Sequence, residues 1–258
     1  MKSHREWAQA LFEAKNNREP IDPLTKVDDS LTVVDAYGIQ QEYARLLAGD
    51  DGKIVGYKLG LTSKPMQEMM GVDQPDYGPV LSNMVYDDGA TVDLGRYIQP
   101  RVEAEIALVL DAPLKGPGVT TMEAARAVAG ALPALEMVDS RIKDWKIRLV
   151  DTIADLASSA AIMLGPRLVP VDGWDPRLCG MVVARNGVTV DTGAGAAALG
   201  NPLAALAWLA NTLAPFDVTL EPGWFVMTGA LHRAFPVEPG DVIRAEFDRL
   251  GAVAVNFK

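Results

Sequence analysis

Cysteine and histidine are nearly absent: the chain has one cysteine, Cys179, and two histidines, His4 and His232, in 258 residues. A lone cysteine permits no intrachain disulfide, which fits the reducing cytoplasm. It stands in the apolar stretch RLCGMVVA, where a small buried hydrophobe is a simpler reading than a nucleophile. No run approaches the ~18 uncharged apolar residues of a membrane-spanning helix. The N-terminus lacks the continuous apolar core of a signal peptide, so a cytoplasmic globular protein is expected. Basic residues are also short, 24 Lys and Arg against 34 Asp and Glu, for a net charge of −10 and a pI near 4.7. That deficit argues against nucleic acid and against an anionic membrane surface as partners. An anionic small molecule would need a local positive centre, such as a metal ion or a lysine. The glycine-rich DTGAGAAALG lacks G-x-G-x-x-G, and no G-x-x-x-x-G-K-[ST] occurs, so neither a dinucleotide fingerprint nor a P-loop is present. Ser140, Ser158 and Ser159 have no nucleophile-elbow context.

What the chain does have is apolar residues, 49% of the total, enough for a sizeable core in a single large domain or one with a small appendage. Residues 4–17 and 32–48 carry helical spacing, the second ending at Gly49. From residue 53 onward short β-prone runs appear, at 53–59, 101–110, 132–138, 158–164, 178–185, 223–228, 240–248 and 252–257. Helices interrupt them at about 120–130 and 201–213, the latter with Asn201 as N-cap and Pro202 in the first turn. This texture predicts a mixed α+β domain behind an N-terminal helical segment, with the division near residue 50. Trp145, Trp208, Met69 and Met70 are expected in the core or in pocket lining.

The most informative stretch is RVEAEIALVL. As a strand it places Val102, Ala104, Ile106, Leu108 and Leu110 on one face, and Arg101, Glu103, Glu105, Ala107 and Val109 on the other. Glu103 and Glu105 then project together, their Cβ atoms within about 7 Å. Like charges so close, in a strand that turns apolar on both faces, call for a cation. Glu136 lies in the apolar run ALPALEMVDS, and Lys58 in the glycine-flanked KIVGYKLGLT. A buried carboxylate requires a partner, and a buried lysine has a readily depressed pKa, which suits proton transfer near neutrality. Three glutamates without histidine or cysteine make an oxygen-only ligand set, suited to Mg²⁺ or Mn²⁺ rather than zinc. The same residues also fit a solvated strand face, with Glu136 paired to Arg101 or Arg141.

GYKLGLTS, GVDQPDYG, QPRVEAEIALVL, LPALEMVDSRIKDWKIRLVDTIAD and TGAL, in this order and spacing, resemble the 2-oxopent-4-enoate hydratases and the related 4-oxalocrotonate decarboxylases of the fumarylacetoacetate hydrolase superfamily. The resemblance runs from about residue 20 to the C-terminus. It implies a strongly bent mixed β-sheet wrapped around the site, in residues 51–258 behind the helical segment 1–50, and a homo-oligomer. It also implies that Glu103, Glu105 and Glu136 bind Mg²⁺ or Mn²⁺, that Lys58 and Asp76 handle protons, and that Ser158 and Gly229 lie near the substrate. Two positions depart from the pattern: Leu156 (IADLASS) stands where relatives usually have asparagine, and His232 follows TGAL.

The activity so implied is hydration of 2-hydroxypenta-2,4-dienoate, or a close homologue, to 4-hydroxy-2-oxopentanoate in the breakdown of aromatic rings. The alternative is decarboxylation of 2-oxohex-3-enedioate, which needs a cationic group for a distal carboxylate. Lys64, Arg141, Lys143 and His232 are candidates, though each reads more simply as a surface residue. A C–C hydrolase would want a histidine paired with a carboxylate, and only His4 and His232 exist to serve. A non-catalytic subunit stabilising a neighbouring pathway enzyme is a further alternative, and retention of Lys58 and all three glutamates argues against it.

Overall fold

Ser3 and Thr32 open the two long N-terminal helices. Each is followed three residues later by an acid, Glu6 or Asp35. The hydroxyl accepts from the acid's backbone N–H, and the carboxylate accepts from the cap's own N–H. These caps start α1 (His4–Asn17) and α3 (Val33–Ala48), with the single-turn α2 (Leu24–Val27) between them. Trp7, Leu11, Ile39 and Tyr43 pack together over Leu81, Met84, Ile142 and Ile153 from later in the chain. Each fully buried aliphatic side chain there contributes about 1.5–3 kcal/mol, which holds the helices on the sheet. The computed structural model describes residues 2–64, 67–68 and 71–258, so Met69 and Met70 lie outside the described residues.

Strands follow in the order β1 (Ile54–Gly60), β2 (Asp76–Leu81), β3 (Val85–Asp87), β4 (Thr91–Val92), β5 (Arg101–Leu110), β6 (Val128–Val138), β7 (Ser159–Leu164), β8 (Gly180–Arg185), β9 (Val188–Ala194), β10 (Phe225–Met227), β11 (Phe235–Pro236), β12 (Val242–Phe247) and β13 (Gly251–Phe257). Helices α4 (Thr121–Ala127), α5 (Leu149–Ala154) and α6 (Pro202–Leu213) are interspersed. The strands form two sheets. An eight-stranded, curled sheet runs β2-β1-β10-β5-β6-β7-β3, with β11 also on β5. It is mixed, because β1 pairs parallel with β10 and β3 parallel with β7. A five-stranded sheet runs β4-β13-β12-β8-β9, and β12 and β13 lie against β6.

Alternation along β5 separates the two interiors. Val102, Ala104, Ile106, Leu108 and Leu110 enter the main core with Val183, Ile243, Ala245, Val253 and Val255 of the second sheet and Leu206 and Leu209 of α6. Ala107 on the opposite face joins Leu132, Ala134, Ile162, Phe225 and Met227 in a smaller apolar cluster. The site therefore occupies only the 101–105 end of that face. Pro133 is tolerated in β6 because its neighbour β7 pairs only from Ala134 onward.

The expected helix at 120–130 ends at Ala127, and β6 begins at Val128, earlier than the 132 read from the sequence. Strands β2, β3, β4 and β9 and helix α5 were not expected. Arg101–Leu110 coincides with the predicted strand. Among the described residues no helix is long and apolar enough to cross a membrane.

Candidate metal centre

The antiparallel register of β5 and β6 sets Glu103 directly opposite Glu136, and Glu105 follows two residues on, on the same face. One oxygen from each carboxylate lies within 4.8 Å of the others. Glu105 and Glu136 are fully buried, and Glu103 is half-buried. Glu105 Oε1 and both Glu136 oxygens lack any hydrogen-bond partner. Lys58 Nζ lies 3.4 Å from Glu136 Oε2, an ion pair outside hydrogen-bond geometry, and donates to the Ala157 carbonyl at 2.9 Å. Glu136 is thus not paired with Arg101 or Arg141, as the solvated-face alternative had it.

Burial, then the charge of Glu136, pushes Glu103 up to about 7, while Lys58 pulls it down. Burial, then Glu136 and Glu103, holds Glu105 well above the usual carboxylate range. Burial raises Glu136 against the pull of Lys58. Carboxylates so placed cannot all ionise without a cation. Hard oxygen donors with unused lone pairs fit a hard divalent ion, so the residues present fit Mg²⁺ or Mn²⁺.

For Lys58 the sequence reading needs correcting. Burial does push its pKa down, but Glu136, Asp76, Glu103 and Glu105 together outweigh burial, and the pKa is raised. In the metal-free chain Lys58 is a firmly held ammonium.

Asp76 opens β2 opposite Gly60, is buried, and leaves Oδ1 without a partner. A Cβ on Gly60 would stand 2.1 Å from that oxygen, so the second glycine of GYKLG is a steric requirement. Burial raises the Asp76 pKa, with Lys58 opposing. Leu156, Ala157 and Ser158 form three successive left-handed residues, with φ of 58°, 48° and 56°. Such backbone persists only when its surroundings fix it. Here Ser158 N–H donates to Asp155 O and Ser158 O accepts from Asp139 N–H, while buried Arg141 grips the Asp155 carboxylate. The turn delivers the Ala157 carbonyl to Lys58 and leaves Ser158 Oγ without a partner. Leu156 packs in the helical cluster and is absent from the cavity wall, so its departure from asparagine alters packing. Gly229 has φ of 112° and donates its N–H to Glu105 Oε2 at 2.7 Å. A Cβ there would lie 1.9 Å from Thr62 Oγ1.

A cavity of ≈ 360 Å³ opens over this floor. Lys58, Asp76, Glu103 and Ser158 line it, with Glu105 and Glu136 beneath and Gly229 reaching the group through its N–H. Arg101, Trp145 and Arg233 also line it. Sequence reasoning gave Arg233 no role and Arg101 only that of a partner for Glu136, although Arg101 shares the odd-numbered face of β5 with the glutamates. The Arg101 guanidinium sits 4.7 Å from the Trp145 ring centroid. Neither arginine forms a salt bridge among the described residues. Two residues expected at the surface are buried instead: Arg141, bound to Asp155, and the side chain of His232. Lys64 and Lys143 are exposed. His232 Nδ1 is 3.9 Å from Asp191, but that nitrogen meets the Arg233 carbonyl and Nε2 accepts from Ala104 N–H. No lone pair remains to activate water, which removes His232 as the hydrolase alternative's base; His4 pairs with Asp35 on the N-terminal helices, outside the cavity wall.

Residues 58–258, from Lys58 to the C-terminus, match the fumarylacetoacetate (FAA) hydrolase C-terminal family. The chain belongs to the fumarylacetoacetate hydrolase family. Within it, a 2-keto-4-pentenoate hydratase of Paraburkholderia xenovorans is 41% identical over 253 residues, 98% of this chain and 94% of that one. A 2-oxo-hept-4-ene-1,7-dioate hydratase of Escherichia coli is 36% identical over 261 residues, 99% of this chain and 98% of the relative. The solved structure of 4-oxalocrotonate decarboxylase from Pseudomonas putida G7, complexed with magnesium and adipate, superposes with a TM-score of 0.95 at 38% identity, covering 99% of this chain and 97% of that one. That decarboxylase structure shares the mixed α+β architecture over nearly its whole length.

Proposed function

We propose that this chain is a metal-dependent hydratase that converts 2-hydroxypenta-2,4-dienoate, or a close homologue, to 4-hydroxy-2-oxopentanoate. The observation that carries the reading is the convergence of Glu103, Glu105 and Glu136, with unsatisfied oxygens, beneath a cavity whose wall holds the Lys58 ammonium. The similar hydratases support the reaction. Glu103, Glu105 and Glu136 would hold Mg²⁺ or Mn²⁺. When bound, the ion would supply positive charge for the substrate carboxylate and the neighbouring 2-oxygen. Lys58 gives a proton at C5 as the dienol hydroxyl loses its own, leaving the conjugated 2-oxo-3-enoate. Water then adds its oxygen at C4, and a proton arrives at C3. Asp76, buried and with an unpartnered oxygen, moves protons or positions that water. Ser158 Oγ and the Gly229 turn border the substrate. No covalent intermediate is needed. The family also implies a homo-oligomer, which sedimentation of the purified chain tests.

The deciding experiment follows loss of the dienoate ultraviolet absorbance with Mg²⁺ and then with chelator. Fast loss that the chelator abolishes, with 4-hydroxy-2-oxopentanoate as product, is expected. No loss in protein that demonstrably binds the ion counts against the reading.

A second reading, decarboxylation of 2-oxohex-3-enedioate, is favoured by Arg101 and Arg233. Among the described residues these guanidiniums line the cavity without salt-bridge partners, where they can meet a distal carboxylate. On this reading Arg101→Met raises KM for the diacid by about 10-fold or more, as loss of a charge-assisted contact of roughly 1.5–3 kcal/mol predicts. The monoacid is barely affected. Equal effects on both substrates would remove the reading.

A further inference from the structure

The two ligand-bearing residues of β5 flank Ala104, and the backbone of that residue has no strand neighbour on one side. Strand β10 pairs with β5 only as far as Ala107, and β11 takes up the pairing again at Val102. The loop Thr228–Ala234 crosses the gap and must satisfy the inward backbone groups, because Ala104 and Ile106 are completely buried. It does so with unlike parts. Thr228 donates to the Ile106 carbonyl from its N–H at 3.2 Å and from Oγ1 at 2.8 Å. Leu231 N–H donates to the Ala104 carbonyl at 3.0 Å. For the Ala104 N–H the acceptor is a side chain, His232 Nε2, at 2.9 Å.

The imidazole is itself held. Because Nε2 accepts, Nδ1 carries the proton, and it donates to the Arg233 carbonyl at 2.8 Å. The ring also lies 5.6 Å, centroid to centroid, from Phe235, the first residue of β11. His232 thus replaces the carbonyl of a missing strand at the one residue that lies between Glu103 and Glu105.

We propose that His232 is a positioning residue that fixes the Glu103-Ala104-Glu105 segment for metal binding through the Ala104 N–H. This rests on the metal-site reading above. Without the acceptor, a buried N–H is left unpaired, and the strand must shift to find water or another partner. Any such shift carries both flanking carboxylates with it. Removal of outer partners of metal ligands typically costs 10–100-fold in affinity, which sets the size of the expected effect.

The test uses chelator-stripped protein titrated with Mn²⁺, free ion being read by electron paramagnetic resonance, alongside thermal unfolding of each metal-free form. His232→Leu is expected to weaken Mn²⁺ binding about 10–100-fold. His232→Gln, whose Oε1 can occupy the place of Nε2, should restore affinity to within about 3-fold of the original. A leucine variant that binds Mn²⁺ within about 2-fold of the original overturns the proposal. So does a glutamine variant as weak as the leucine one, and this comparison decides the matter even when leucine lowers the unfolding temperature. Glu105→Gln is the control. If it binds Mn²⁺ normally, the three-glutamate site is wrong, a failure separate from that of His232.

Discussion

Lys58 is one cation facing four buried or half-buried carboxylates, and that imbalance assigns its work. Glu136, Asp76, Glu103 and Glu105 keep it protonated. A divalent ion on the glutamates would cancel much of that field, easing release of the proton at the moment a substrate is present. Lys58→Ala is therefore expected to keep Mn²⁺ affinity while turnover falls by about 10²–10⁴, the usual contribution of a positioned acid. Titration of the ion beside turnover of the same preparation checks both halves. Turnover within about tenfold of the original would show that Lys58 is a spectator. Lys58 and the three glutamates were legible in the sequence because a charge inside an apolar run requires a partner. Which partner was not legible. Lys58 contacts a carbonyl 99 positions away, and the acceptor nitrogen of His232 serves a backbone group 128 positions away. Arg101 opens its strand, where a charge reads as solvated, and only the closure of the cavity by Trp145 gives it a role.

Register turns those residues into a site. A one-residue slip of β5 against β6 would send Glu103 and Glu105 into the main core and bring Ala104 to the cavity. The loop after β10 guards against this by grasping β5 at Ala104, Glu105 and Ile106 together. Gly229 is its tightest point, with φ of 112° and Thr62 where a Cβ would go. Gly229→Ala is expected to cost about 1–3 kcal/mol in stability and to weaken Mn²⁺ binding, since displacing the loop withdraws the N–H from Glu105. Denaturant unfolding with Mn²⁺ titration checks it, and an alanine variant with unchanged affinity would show the donor to be dispensable. At this scale β5 was legible to its ends because its run is β-prone throughout and its flanks are polar. The helix at 120–130 was read too long because Val128–Gly130 fits a helix locally, yet pairs with β5. Strand β2, with glycine and proline in DYGPVL, and β9, exposed along most of its length, lack the apolar alternation that would have announced them. Tertiary pairing overrode weak local preference in both.

Over the whole molecule, the N-terminal helices were legible from spacing and the stop at Gly49, and α+β character from texture. The division into two sheets was not, because order within a sheet follows from pairings between distant strands. What joins the parts is the floor of the cavity, built on the eight-stranded sheet at one end of the face that carries the smaller apolar cluster. In a chain of net charge −10 that floor is a point of stored repulsion, and its effect on stability has a definite sign. Glu103 ordinarily titrates at 4.5, and in the fold at about 7. Between these values the folded chain holds more protons than the unfolded one, so metal-free stability falls as pH rises through the window. Glu105 and Glu136, raised in the same direction, extend the trend. Glu103 is only half-buried, and screening by water in the cavity trims its share. A divalent ion binds the ionised form, so its stabilisation runs the other way and grows with pH. The unfolding temperature with Mn²⁺ minus that with chelator should thus be larger near about pH 8 than near about pH 5.5. Over the same interval the chelated protein should lose stability. A difference that is flat or shrinks with pH would mean that the carboxylates are not neutral in the chelated protein, and that repulsion among them is not what the ion relieves.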